Sequence, residues 1–301
     1  MTDNSYCGSP SNQSTSSLEK HIQDAANSVI SRDWEYYMNM VNNANQVITY
    51  IDGIKDPTLT DTERREWKAE ALVWRSWNLF EMSLLWGDVP MVLVSPPAIT
   101  PDNIEEVYKL YFPDRQPQLD VFRQVAEDLE WAALNAPAVN TTDKFKLSKA
   151  VAYGLLARVY AEKPIRNYEK VKEACTAVEA MNLSLVTNFS DLWSYNTEKT
   201  DMVARHSSES IFEVPFTKSQ GNWVWMMFWR NGIGDNPNDS FSWQKWNTPS
   251  QNLIAHFQRE GDNVRMNQTI IWDECGWSTY YPAENYPFMY KCRCNASSII
   301  R

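Results

Sequence analysis

Apolar positions recur at helical spacing over much of the first two-thirds of the chain. Trp34, Tyr37, Met38, Val41, Ala44, Val47 with Ile48, and Ile51 return every three or four residues, which predicts an amphipathic helix over 32–53. Thr60-Asp61-Thr62-Glu63 has the form of a capping box: the threonine hydroxyl takes a free backbone N–H, and the glutamate carboxylate returns a bond to the threonine N–H. The helix opened there runs to Trp86, where Gly87 supplies a left-handed residue past the end and Pro90 forbids continuation. Beyond a connection holding Pro96, Pro97 and Pro101, the positions Val121, Val125, Leu129 and Ala132 mark another helix, which ends before Pro137.

Ser148 then caps "KAVAYGLLARVYAEK", and "NYEKVKEACTAVEAMN" follows a turn at Pro164. Ala152, Gly154 and Ala157 are small enough for a neighbouring helix to approach closely, and Tyr160 stands near the end of the first helix. The pair resembles a tetratricopeptide-type hairpin over 148–182, as would many antiparallel helical hairpins. Past about residue 190 the pattern changes. "ESIFEVPFT" reads as a strand, one helix is expected at 249–259, and the remainder is rich in Gly, Asn, Pro, Ser and Trp. The expectation is a mainly α chain: a helical scaffold over 17–190 and a loop-rich, strand-poor layer over 191–301, together one domain.

The stretch "AEALVWRSWNLFEMSLLWGDVPMV", residues 69–92, concentrates large side chains on one helix. Val73, Trp77, Phe80 and Leu84 form a stripe that Trp74 and Leu85 widen, so the helix should be buried over most of its girth. Arg75 within it needs a carboxylate or helix-end carbonyls as partner, because an isolated buried charge is costly. Trp34, Trp67, Trp74, Trp77 and Trp131 sit at core-like helical spacing. A second group, Trp223, Trp225, Trp229, Trp243, Trp246, Trp272 and Trp277 with Tyr280 and Tyr281, falls in the loop-rich part. Planar rings suit the C–H face of a sugar, while the interleaved Asn, Gln, Asp and Arg of "GNWVWMMFWRN" and "SFSWQKWN" suit its hydroxyl groups. Some of these rings are equally able to form a second core beneath the loops. These nine residues are the candidate ligand-binding set.

Composition narrows the alternatives. With 38 acidic and 28 basic residues the net charge is -10, which disfavours nucleic acid and anionic lipid as partners. No apolar run reaches the roughly 20 residues a membrane span requires, and "MTDNSYCGSPSNQSTSS" has neither the basic start nor the apolar stretch of an export signal. The five cysteines, Cys7, Cys175, Cys275, Cys292 and Cys294, are too scattered for a disulfide scaffold. Cys275 could pair with Cys292 or Cys294, or all could stay thiols; zinc lacks a fourth ligand. His21, His206 and His256 lie far apart with no nucleophile, metalloprotease or phosphate-loop motif around them. No cofactor is expected. "GDNPNDS", residues 234–240, offers oxygens for a structural calcium ion but lacks EF-hand spacing and reads first as a surface turn.

Residues 69–92 also carry a resemblance. Ala69, Glu70, Ala71, Arg75, Phe80, Trp86, Gly87, Asp88, Val89 and Pro90 match the signature helix and turn of the SusD/RagB family of Bacteroidetes, with Ser76 where alanine is usual. "RDWEYYMNMVNNANQVITYID", "VFRQVAEDLEWAALNAP", "LSKAVAYGLLARVYAEK", "SESIFEVPF", "TPSQNLIAHFQREGDNVRMN" and "YKCRCNASSIIR" resemble further family segments in the same order. Family members are usually longer at both ends, so the chain is expected to be an incomplete SusD-like domain; the lipid anchor is not carried onto Cys7. The resemblance implies a starch-utilisation-type lipoprotein on the outer face of the outer membrane. Such a protein captures oligosaccharide without chemistry and passes it to a TonB-dependent SusC-like transporter. A peptide-binding RagB-like member is the alternative, and a glycoside hydrolase a more distant one. The resemblance carries over only a region, the aromatic loops, and no individual contact.

Overall fold

Side-chain caps fix where the long helices begin. In the computed structural model, which describes residues 4–6, 13–139, 143–194, 196–197, 202–214, 248–274 and 285–289, Asn27 Oδ1 accepts the backbone N–H of Val29 at 3.0 Å and of Ile30 at 3.3 Å. Thr60 closes the capping box as its sequence predicts: its hydroxyl accepts from Glu63 N at 3.2 Å and its own N–H donates to Glu63 Oε2 at 2.9 Å. The elements run β1 (Ser5–Tyr6), α1 (Gln13–Glu19), α2 (Ser28–Tyr50), α3 (Asp61–Trp86), β2 (Val89–Pro90), α4 (Ile104–Tyr111), β3 (Arg115–Gln116) and α5 (Gln118–Asn135). They continue with α6 (Lys149–Ala161), α7 (Tyr168–Glu179), β4 (Thr248–Pro249), α8 (Gln251–Arg259), α9 (Asn263–Thr269), β5 (Ile270–Glu274) and β6 (Asn285–Met289). The fold is mainly α-helical.

The chain divides into two compact units. One comprises Arg32–Leu185 with His206–Val214, and the other Met1–Ser31, Val186–Arg205 and Pro215–Arg301. In the first, α3 and α5 pack antiparallel: as α3 advances through Arg75, Phe80 and Ser83, its partners on α5 recede through Asp128, Phe122 and Gln118. Leu72, Val73, Leu79, Phe80 and Met82 of α3 are buried with Val121, Phe122, Val125 and Leu129 of α5 and Leu155, Leu156 and Val159 of α6. Phe80 and Phe122 meet edge to face at 5.3 Å, a favoured aromatic geometry. α3 stops where Gly87 takes φ 73° and donates to Ser83 O at 3.0 Å. β2 then pairs antiparallel with β3, Val89 opposite Gln116.

Five expectations need correction. Leu84 and Leu85 are exposed, because the last turn of α3 runs past the first residue of α5, where Gln118 already reaches Ser83. Trp67 and Trp131 are 49% and 37% exposed rather than core residues. Trp34, Trp74 and Trp77 do pack against the core, as does Ile48, while Val47 faces solvent. Ser148 stands at the N-cap of α6, but its buried hydroxyl makes no capping bond. Residues 209–214 form no strand: Ile211 and Phe212 lie on the core, and the backbone is tied by a bond from Glu213 N to Lys144 O at 2.9 Å and a turn bond from Ser210 N to Ser207 O at 3.1 Å.

In the second unit β1 pairs with β4, Ser5 opposite Pro249, and Ser250 N donates to Asn4 O at 3.0 Å. Ser250 caps α8 by accepting from Leu253 N at 3.1 Å, so the helix expected at 249–259 is present. Asp262 caps α9 by accepting from Arg265 N at 3.0 Å. α9 leads directly into β5, which forms a hairpin with β6 from Ile270 opposite Met289 to Glu274 opposite Asn285.

Candidate functional site

The β5–β6 hairpin is the described element nearest to the candidate aromatic residues. Trp272 occupies its middle, with its backbone opposite Pro287. The ladder closes at Glu274 and Asn285, which flank in sequence the segment carrying Trp277, Tyr280 and Tyr281. Antiparallel pairing fixes register, and register fixes which residues emerge at a hairpin end. In the same unit Ile254, Thr269 and Ile270 are buried, and the turn Phe189–Trp193 lies against α9 with its two rings 6.3 Å apart. Trp223, Trp225, Trp229, Trp243, Trp246, Trp277, Tyr280 and Tyr281 themselves lie outside the described residues, as does residue range 234–240. β4 begins two residues after Trp246 and, through its pairing with β1, anchors the chain as it leaves that segment.

The signature helix has a different role. Arg75 is buried, and its Nε and Nη2 donate to Asp128 Oδ2 at 2.9 and 2.7 Å. Its Nη1 donates to Asn45 Oδ1 at 2.9 Å and to Leu93 O at 2.7 Å. Gln124 Nε2 adds a bond to Asp128 Oδ1 at 3.0 Å. Burial pushes the Asp128 carboxyl above its ordinary range, outweighing the opposing pull of Arg75. α2, α3, α5 and the chain after β2 are thereby tied at one point. Four of the five N–H donors of Arg75 are engaged in this buried cluster, so this arginine is structural rather than a ligand hook.

Titratable groups elsewhere show no catalytic arrangement among the described residues. His206 Nδ1 lies 3.3 Å from Glu213 Oε2 beside the Phe145 ring. His256 contacts Arg259 at 2.7 Å in the other unit, and His21 adopts φ 55°. Glu130 accepts from Tyr160 at 2.7 Å and from Lys170 at 2.9 Å, joining α5 to the α6–α7 hairpin, and burial with that carboxylate raises the phenol well above its ordinary range. No group of three or more His, Cys, Asp or Glu side chains able to hold a metal occurs among the described residues. Cys175 is an exposed thiol on α7, while Cys7, Cys275, Cys292 and Cys294 lie outside the described residues. No described helix is long and apolar enough to cross a membrane.

Comparison with known proteins gives this architecture a family. A SusD-like family described as starch-binding and associating with the outer membrane matches residues 2–161. A SusD-like protein of Bacteroides ovatus is 26% identical over an alignment of 181 residues that covers 55% of this chain and 30% of that protein. A crystal structure determined with a xylogluco-oligosaccharide superposes with TM-score 0.73 at 18% identity, over 99% of this chain and 60% of its own. A laminarin-binding SusD-like protein superposes with TM-score 0.72 at 18% identity, over 96% of this chain and 65% of its own. This chain therefore spans less than a third of the curated relative and about three-fifths of those structures. With more than half of its length matched, from residue 2 to 161, and the same helical architecture, the chain belongs to the SusD-like family.

Proposed function

We propose that this chain is a cell-surface glycan-binding protein that captures oligosaccharide noncovalently at the outer membrane and delivers it to a TonB-dependent SusC-like transporter. The observation carrying this reading is the family match over residues 2–161. The laminarin-binding relative and the structure determined with a xylogluco-oligosaccharide support a glycan as the ligand class. The loop aromatics Trp272, Trp277, Tyr280, Tyr281, Trp223, Trp225, Trp229, Trp243 and Trp246 supply the stacking surfaces. Membrane attachment is through a lipid anchor, and the protein carries out no chemistry on its ligand.

Isothermal titration of the chain against laminarin, xyloglucan, starch and a mixed peptide library tests the reading. Binding to at least one glycan, with the oligosaccharide recovered intact, is the expected result. Binding to peptide alone overturns it in favour of a RagB-like role, and cleavage of a bound oligosaccharide overturns the noncatalytic assignment. Co-purification with a co-expressed SusC-like transporter tests the delivery step.

A further inference from the structure

The outward face of α2 has a chemistry that the outward faces of α5 and α7 lack. From Tyr36 to Tyr50 the helix contains no Asp, Glu, Lys or Arg. At the turn of an α-helix, Tyr36, Asn39, Asn43, Gln46, Val47 and Tyr50 fall within an arc of about 100°, and all six are exposed, Tyr36 by 60% and Tyr50 by 55%. The opposite arc, with Tyr37, Val41, Ala44, Asn45 and Ile48, turns to the core. The exposed positions of α5 include Arg123, Glu127 and Glu130, and those of α7 include Glu169, Lys172, Glu173 and Glu179. A protein of net charge -10 thus keeps one helix face of about four turns free of charge.

The polar groups of this face are also uncommitted. Asn45, on the inner side, is held between Arg75 and Val92 O, whereas Asn39, Asn43 and Gln46 make no side-chain hydrogen bond among the described residues. Each primary amide offers both donor and acceptor, the pattern that adjacent hydroxyl groups satisfy. Tyr36 and Tyr50 stand about 21 Å apart along the axis, one ring at each end of the amide row. An apolar protein surface docked here would leave three amides without partners, at a cost of about 1–3 kcal/mol each. Between Tyr36 and Tyr50 a charged ligand would find no counter-charge on the helix, whose nearest exposed charges are Glu35 and the Asp33-paired Arg32 at its N-terminal end. An uncharged polyhydroxyl chain meets neither penalty.

We infer that this face of α2 is a second contact surface for uncharged oligosaccharide. The chain lies along the helix, with Tyr36 and Tyr50 stacking on sugar rings and Asn39, Asn43 and Gln46 bonding hydroxyl groups. The inference rests on the glycan-binding reading proposed above. It differs from that reading in placing a ligand on the helical scaffold as well as on the loops.

The test is affinity electrophoresis and isothermal titration of the whole chain with laminarin and xyloglucan oligosaccharides, using Tyr36→Ala/Tyr50→Ala and Asn39→Ala/Asn43→Ala/Gln46→Ala. Alanine has the highest helix propensity, so the amide variant keeps α2 intact, which thermal melting checks. Each variant is expected to lose affinity about ten-fold for at least one glycan, the order produced by one or two lost contacts, while Tyr36→Phe/Tyr50→Phe retains it. Arg123→Ala/Glu127→Ala on α5 serves as the control without effect. Wild-type affinity in both α2 variants, alongside binding by the unaltered chain, overturns this inference alone. Failure of the unaltered chain to bind any glycan overturns the underlying reading with it. Loss of self-association in the variants, with glycan affinity unchanged, reassigns the face to a second copy and also overturns the inference.

Discussion

Arg75 and Asp128 illustrate how one residue in a signature motif acts far from any ligand. Removing the guanidinium strands a buried carboxylate, so Arg75→Ala is expected to cost about 3–5 kcal/mol in urea unfolding. Arg75→Met with Asp128→Leu removes both charges and should recover most of that loss, since burying an ion pair gains little over an apolar pair of similar volume. The need for a partner was legible in the sequence, because Arg75 sits among Trp74, Ser76 and Trp77 on a stretch of helix whose apolar stripe covers most of its girth. The identity of the partner was not, as Asp128 is 53 residues away and is placed only by the packing of α5. Glu70, on the same helix, accepts from Leu147 N at 3.2 Å, and burial is the largest influence, raising its pKa above the ordinary 4.5. Because the folded chain holds this proton more tightly than the unfolded one, its contribution to stability is full below pH 4.5 and is lost as pH rises through the folded value. Glu70→Gln keeps an acceptor for Leu147 and should flatten that part of the profile of melting temperature against pH.

Among the elements, those with strong local signals were readable and those made by distant contacts were not. The capping box of α3 follows from four adjacent residues. Thr60→Ala is expected to destabilise by about 1 kcal/mol. Hydrogen bonds from Thr60 hold the Glu63 carboxyl below its ordinary 4.5, so the capping contribution is present above that pH and fades as pH falls through the depressed folded value. The gap between urea titrations of wild type and Thr60→Ala should therefore be smaller at pH 3 than at pH 7, the hydroxyl's bond from Glu63 N remaining at both. At the other end, Gly87 has φ 73° with open space around the position of a Cβ, so Gly87→Ala meets backbone strain alone, of order 1–3 kcal/mol. α4 was missed because Ile104–Tyr111 is only eight residues long and follows a run of prolines. Its Ile104, Tyr108 and Tyr111 face solvent, so the spacing did not advertise a core contact. The strand expected at "ESIFEV" failed for the converse reason: Ile211 and Phe212 are apolar because the core of α3 and α6 needs filling, not because a ladder exists. The uncharged face of α2 was visible as fifteen residues without charge, yet it was overshadowed by the tryptophans downstream.

For the molecule as a whole, charge separates the ligand classes more sharply than shape does. At net charge -10 the chain attracts cations at a distance, and that attraction weakens as the Debye length shrinks from about 10 Å at 0.1 M salt to about 3 Å at 1 M. The candidate loop residues are mostly Trp and Tyr, and the α2 face has no ionised group, so contacts with a neutral sugar involve stacking and hydrogen bonds that salt screens little. Glycan affinity measured by titration is therefore expected to change by less than about two-fold between those salt concentrations, whereas a basic peptide drawn in by the acidic surface would lose affinity steeply. Trp277→Ala should lower glycan affinity equally at both salts, because it removes area and not charge. The two compact units hold different tryptophans: 34, 67, 74, 77, 86 and 131 in the first, and 193, 223, 225, 229, 243, 246, 272 and 277 in the second. A ligand bound on the aromatic loops should therefore perturb the fluorescence of the second set, and Trp272→Phe with Trp277→Phe should diminish the change. A salt-insensitive affinity with no fluorescence response from those residues would move the binding surface off the loops altogether, and α2 would be the place to look for it.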